Sequence, residues 1–111
     1  MKTSLCLLIT SFPHQETAFS VIRSLVKEQL VACGTLLPQA HSIYMWQGKL
    51  EETPEVMVVL KTSDSLLERC MKRLKKLHPY DVPEIVAIEP IAVGEAYGAW
   101  VQEVLNPDIS Y

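Results

Sequence analysis

Apolar and polar positions change period several times along this chain, and each change predicts an element. Ser4 to Ile9 is short and almost wholly apolar, the mark of a strand buried on both faces. After the breaker "SFPH", Gln15 to Leu30 carries Ala18, Val21, Ile22, Leu25 and Val26 at steps of three and four, a helix with one buried stripe. Val31 to Leu37 reads as a strand interrupted by Gly34, a bulge or a close approach, and stopped by Pro38. His41 to Gln47 and Glu55 to Lys61 read as two strands of a hairpin joined around Gly48. In "TSDSLLERCMKRLKKLH" a helix is predicted with Ser63 or Ser65 as N-cap, Ser65 and Glu68 forming a capping box. It ends at His78, because a residue before proline is pushed out of the helical region. Glu84 to Glu89 makes a last strand, and Glu95 to Leu105 a short helix with Ala96, Trp100 and Leu105 as anchors.

The order β-α-β-β-α-β plus a closing helix predicts an α+β, ferredoxin-like fold, an antiparallel sheet with two helices on one face. The strand phases add a consequence. Val56, Val58 and Leu60 point one way and Met57 and Val59 the other, and Leu5, Leu7 and Ile9 oppose Cys6 and Leu8 in the same manner. Two helices cover one face, so the second apolar face calls for oligomerisation through the sheet.

Composition narrows the function. A chain of 111 residues fits one domain spanning 1–111. A net charge of −3 gives no electrostatic case for nucleic acid. No run approaches the roughly 18 apolar residues of a membrane span. The N-terminal "MKTSLCLLITSFPH" resembles a signal peptide only superficially, since Thr10 and Ser11 break its apolar core. Cys6, Cys33 and Cys70 form no CxxC pair and leave one over, which favours free thiols in a reducing, cytoplasmic setting.

Candidate chemistry is sparse. There is no GxSxG, no cysteine beside a base in sequence and no glycine-rich phosphate loop, so no enzyme is expected. The basic run Lys72, Arg73, Lys75, Lys76 reads as the solvated last turns of a helix, where cations favour the macrodipole. His14, His41 and His78, with Cys33 and Glu84, offer ligands for copper, zinc or nickel but no local chelate, so folding or assembly would have to build a metal site. Cys33 reads as a small buried hydrophobe and Lys61 as a snorkelling strand end. Tyr44, Trp46, Tyr80, Tyr97 and Trp100 suit a cleft edge or an interface, because their polar atoms need partners when buried.

The segments "SIYMWQGKLEETPEVMVVLKT", "HPYDVPEI" and "AYGAWV", in that order, resemble the CutA (CutA1) divalent-cation tolerance proteins, and the likeness runs from "ETAF" to "WVQEVL". The resemblance implies a tight homotrimer of ferredoxin-like protomers, similar in architecture to the PII signalling proteins. It also implies an inter-subunit cleft lined by His78, Tyr80 and Glu84, with Cys33, Tyr44, Trp46, Lys61, Tyr97 and Trp100 nearby. No cofactor is required by this reading, and a divalent copper or zinc ion would be held weakly by His78 and Glu84. Copper-binding members carry a cysteine at the end of the first strand and a second histidine just before His-Pro, where this chain has Ile9 and Leu77. Gly98 replaces a larger apolar residue and loosens the last helix by about 1 kcal/mol. Two rival functions remain open: a PII-like sensor binding a small anion with Lys61, and a structural trimer without a ligand.

Overall fold

The computed structural model describes residues 4–106; parts of the N-terminal stretch and the tail after Asn106 lie outside them. Seven elements follow one another: β1 (Leu5–Phe12), α1 (Gln15–Lys27), β2 (Cys33–Trp46), β3 (Lys49–Ser63), α2 (Leu67–Leu77), β4 (Ile85–Ile88) and α3 (Glu95–Leu105). The sheet is antiparallel in the order β2-β3-β1-β4, the ferredoxin-like arrangement expected from the sequence. Its main core lies on the side of α1 and α2, where Leu8, Phe12, Val58 and Leu60 meet Ala18, Leu25, Cys70 and Leu74.

Several boundaries differ from expectation, each for a local reason. The first helix stops at Lys27 rather than Leu30, because Gln29 adopts a left-handed φ of 58°. The Leu30 N–H then donates to Leu25 O and the Gln29 N–H to Val26 O, closing the last turn as a Schellman motif. Pro38 does not stop β2. It sits on an edge strand at a β-bulge between Leu37 and Ala40, where Gln39 takes φ 61° and a missing N–H costs no ladder bond. The bulge is therefore at Pro38–Gln39 and not at Gly34.

Gly34 is the close approach instead. A Cβ there would lie 2.7 Å from Ile22 Cγ2 and 3.1 Å from Leu60 Cδ2, so α1 packs directly on the strand backbone. The capping box on Ser65 and Glu68 does not form. The Ser63 and Ser65 hydroxyls hydrogen-bond each other at 3.1 Å, and α2 starts only after Leu66, with no side-chain cap. As expected, His78 terminates α2 in an extended conformation.

Strands β2 and β3 run longer than the periodicity suggested. Gln47 and Gly48 both take positive φ, 50° and 81°, the two-residue turn that keeps a hairpin ladder in register. Beyond Phe12↔Val56, where β1 ends, the hairpin projects as a two-stranded ribbon, and the molecule reaches 53 Å in its long dimension. Such a ribbon is marginal by itself in water. Its Ile43, Met45 and Leu50 are more than 60% exposed.

The face of the sheet away from α1 and α2 is covered at one end only. There α3 sets Val101 and Leu105 against Leu5 and Ala32, with Leu7, Val93 and Val104 around them. Val101 and Leu105 are the anchors of α3; Ala96 and Trp100, expected in that role, are exposed because they fall on the outer side of the helix. Leu37, Val86 and Ile88 stay substantially exposed, and Ile9, Met57 and Val59 only partly covered.

Candidate functional site

The nine residues singled out in the sequence fall into two groups, whose strand members face that half-covered side of the molecule. The first gathers where β1 ends and the ribbon begins. Strand alternation puts Glu51, Thr53 and Glu55 of β3 in one row with their partners Tyr44, Ser42 and Ala40 of β2. The segment from Tyr80 to Glu84 closes over this row, and Pro79 and Pro83 fix φ at two points of the loop. Between them lies a cavity of about 660 Å³ lined by Tyr44, Trp46, Tyr80 and Glu84, together with Glu51 and Glu55.

Beneath the cavity His78 is a latch. It is 8% exposed and stacks on Phe12 with ring centroids 4.4 Å apart. The Tyr80 backbone N–H donates to its Nδ1 at 3.1 Å. Nδ1 is thus the acceptor, so Nε2 carries the proton and donates it to the Ser11 carbonyl at 2.7 Å. No ring lone pair remains for an ion in this arrangement. Burial holds the imidazole below its ordinary 6.5, opposed by the Ser11 carbonyl and the Glu55 charge.

Two residues of this group, Ser11 and Glu55, were not picked out from the sequence. Glu55 is 8% exposed, and its Oε2 accepts from Tyr80 Oη at 2.8 Å and Ser11 Oγ at 3.2 Å. Burial, followed by the Glu55 hydrogen bond and charge, raises the Tyr80 phenol far above its usual range, so it stays a donor at any working pH. Among the described residues no cation pairs with Glu55. An acid opening the apolar run EVMVVL, in phase with Met57 and Val59, was the available signal.

The second group lies six residues further along β3, about 20 Å away at strand rise. Cys33 and Lys61 are directly paired across β2 and β3. Lys61 Nζ donates to Thr35 Oγ1 and lies 3.7 Å from Cys33 Sγ. Burial chiefly raises the phenol pKa of Tyr97 of α3, with the nearby Cys33 thiol adding to it. Trp100 leans on Tyr97 at 5.8 Å. Within one protomer, then, Tyr44, Trp46, His78, Tyr80 and Glu84 come together, and Cys33, Lys61, Tyr97 and Trp100 form a separate set.

For metal chemistry the donors are poorly disposed. Among the described residues no group of three or more His, Cys, Asp or Glu side chains could hold an ion, and no hydrogen bond or ion pair joins Glu84 to His78. Cys6 and Cys70 are buried, free thiols raised in pKa, Cys70 to about 11 by burial alone.

A ferredoxin-like protomer with a long β2–β3 ribbon, an aromatic and acidic cavity at its root and one open sheet face defines the class. Residues 6–104 match the family model described as CutA1 divalent ion tolerance protein. The chain is 43% identical over 97 residues to a divalent-cation tolerance protein CutA of Pyrococcus horikoshii, covering 87% of this chain and 94% of that protein. A crystal structure of CutA from Xylella fastidiosa superposes with a TM-score of 0.90 at 35% identity, covering 93% of this chain and 99% of that one. A structure from Archaeoglobus fulgidus, described as a periplasmic divalent cation tolerance protein CutA, superposes at 0.87 with 25% identity over 91% of this chain and 98% of its own. The chain belongs to the CutA1 divalent ion tolerance family.

Proposed function

We propose that the protein serves divalent-cation tolerance as a non-enzymatic homotrimer whose working cleft lies between subunits. The observation that carries this reading is the open sheet face. Leu37, Val86 and Ile88 are exposed at 40–48% in the isolated chain, beside a partly covered Ile9, Met57 and Val59. An apolar face of this kind marks an interaction surface. Cys33 and Lys61 are paired on the same strand phase as Met57 and Val59, so they lie on this open side, which supports a shared cleft. No helix among the described residues is long and apolar enough to cross a membrane. Three free cysteines favour a reducing, cytoplasmic compartment for this chain.

Divalent ions, copper or zinc, would bind weakly and not through His78, whose two nitrogens are already engaged. Calorimetric titration of the assembled wild type and of His78→Ala with copper and zinc should give coinciding, shallow isotherms. A clearly weaker isotherm for His78→Ala would make the imidazole a ligand after all.

One observation favours a second reading, an anion in the cleft. Lys61 is held only by the neutral Thr35 and Cys33 side chains, and no carboxylate pairs with it among the described residues. Saturable binding of a nucleotide or of citrate that is lost in Lys61→Met would favour this alternative over the metal.

A further inference from the structure

We propose that the groove between α2 and the loop at Val82 and Pro83 docks an acidic peptide segment of a partner protein, anchored by an aliphatic side chain. This goes beyond divalent-ion tolerance and does not rest on the trimer, because the groove lies on the other side of the sheet from the open face. Its Met71 and Ile85 pack against the main core beside α1 and α2, whereas Val86 and Ile88 are the exposed β4 residues of the open face.

The first observation is a segregation of charge. The chain is acidic, with a net charge of −3, yet the 11 residues of α2 carry five cations and one acid. The helix dipole accounts for Lys75 and Lys76 in the last turn, but not for Arg69 in the first turn, where it repels a cation. Internal pairing accounts for little more. Arg73 is held by Glu28 at the end of α1, and Lys72 meets Glu68 at 3.4 Å in an exposed pair of the kind that contributes little. Arg69, Lys75 and Lys76 have no carboxylate partner among the described residues.

The second observation is the groove itself. It has a volume of about 430 Å³ and apolar walls of Met71, Val82, Pro83 and Ile85, with Lys72 and Lys75 on its α2 side. Val82 is 73% exposed, an apolar side chain left in water beside two cations. An apolar recess with a basic rim suits an aliphatic side chain flanked by carboxylates, the recess supplying the anchor and the lysines the orientation. Nucleic acid would leave the apolar walls unused, and Asp81 on the opposite wall would repel its backbone. A flat bilayer surface would not fill a recess. Charge complementarity and shape therefore favour a peptide.

The test titrates the purified, assembled protein by calorimetry with an acetylated hexapeptide of two leucines flanked by four glutamates. The comparison probes are the same peptide with serines for leucines, phosphatidylserine vesicles and a single-stranded oligonucleotide. The leucine peptide should bind saturably, the serine peptide at least tenfold more weakly, and the vesicles and oligonucleotide without a saturable signal. Reversing both groove cations, Lys72→Glu with Lys75→Glu, should weaken peptide binding at least tenfold, and Val82→Ser several-fold. Lys49→Glu, at the far end of the ribbon, should leave it unchanged. All four positions are exposed, so the variants keep the fold. Absence of saturable binding by the leucine peptide would overturn the proposal, as would equal binding of the serine peptide or saturable binding of vesicles or oligonucleotide. Groove variants that bind like wild type, or a Lys49→Glu loss as large as theirs, would overturn it as well.

Discussion

His78 shows how one residue can serve the fold where the sequence suggested a ligand. Its place before Pro79 was legible as the end of a helix and the start of a stiff loop. Its role was not, because tautomer and partners come from Ser11, 67 residues away, and from the Tyr80 backbone. Glu55 was missed for a similar reason: it looked like the polar start of a strand, and its partners Ser11 and Tyr80 are remote in sequence. The latch has a pH signature. Folding lowers the imidazole pKa below its unfolded value of 6.5, so the unfolded chain binds the extra proton first as pH falls. The contribution is complete above about pH 6.5 and is lost as pH drops through the folded value. Protonation at Nδ1 would also place two donors face to face at Tyr80 N–H. Urea unfolding should show stability declining from neutral pH toward pH 5. His78→Ala should cost roughly 1–3 kcal/mol at pH 7.5 and flatten that decline. An equally steep decline in the variant would assign the pH dependence to other groups.

At the scale of elements, periodicity located every strand and helix but split β2 in two at Pro38, reading Val31–Leu37 and His41–Gln47 as separate strands where one runs through. What it could not place were boundaries set by backbone conformation: the left-handed Gln29 that shortens α1, and the bulge that carries β2 past Pro38. Neither involves a glycine, so no composition signal marked them. Two glycines give opposite predictions. Gly34→Ala would push its methyl against the branched Ile22 and against Leu60, forcing α1 off the sheet at a cost of about 1–3 kcal/mol. Gly98→Ala, inside α3 with only Val93 Cγ1 at an ordinary 3.5 Å, should add up to about 1 kcal/mol by helix propensity. Denaturation midpoints that shift the same way in both variants would contradict this account of helix packing.

For the whole molecule, the alternation of apolar residues on β1 and β3 announced a second face before any partner was in view. The structure leaves that face open except beneath α3, and extends from it a ribbon too thin to stand alone. The strand residues of both clusters lie on this same side, so the proposed assembly and the proposed site share one surface. The cavity residues were only half legible, since the aromatic and loop positions stood out in sequence while the acid at their centre did not. The claim that the open face is buried in a homotrimer is tested most directly by sedimentation velocity of the purified protein at micromolar concentration. A single species of three times the 12.5 kDa chain mass, unchanged on tenfold dilution, is the predicted result. A species sedimenting at the mass of one chain would contradict it.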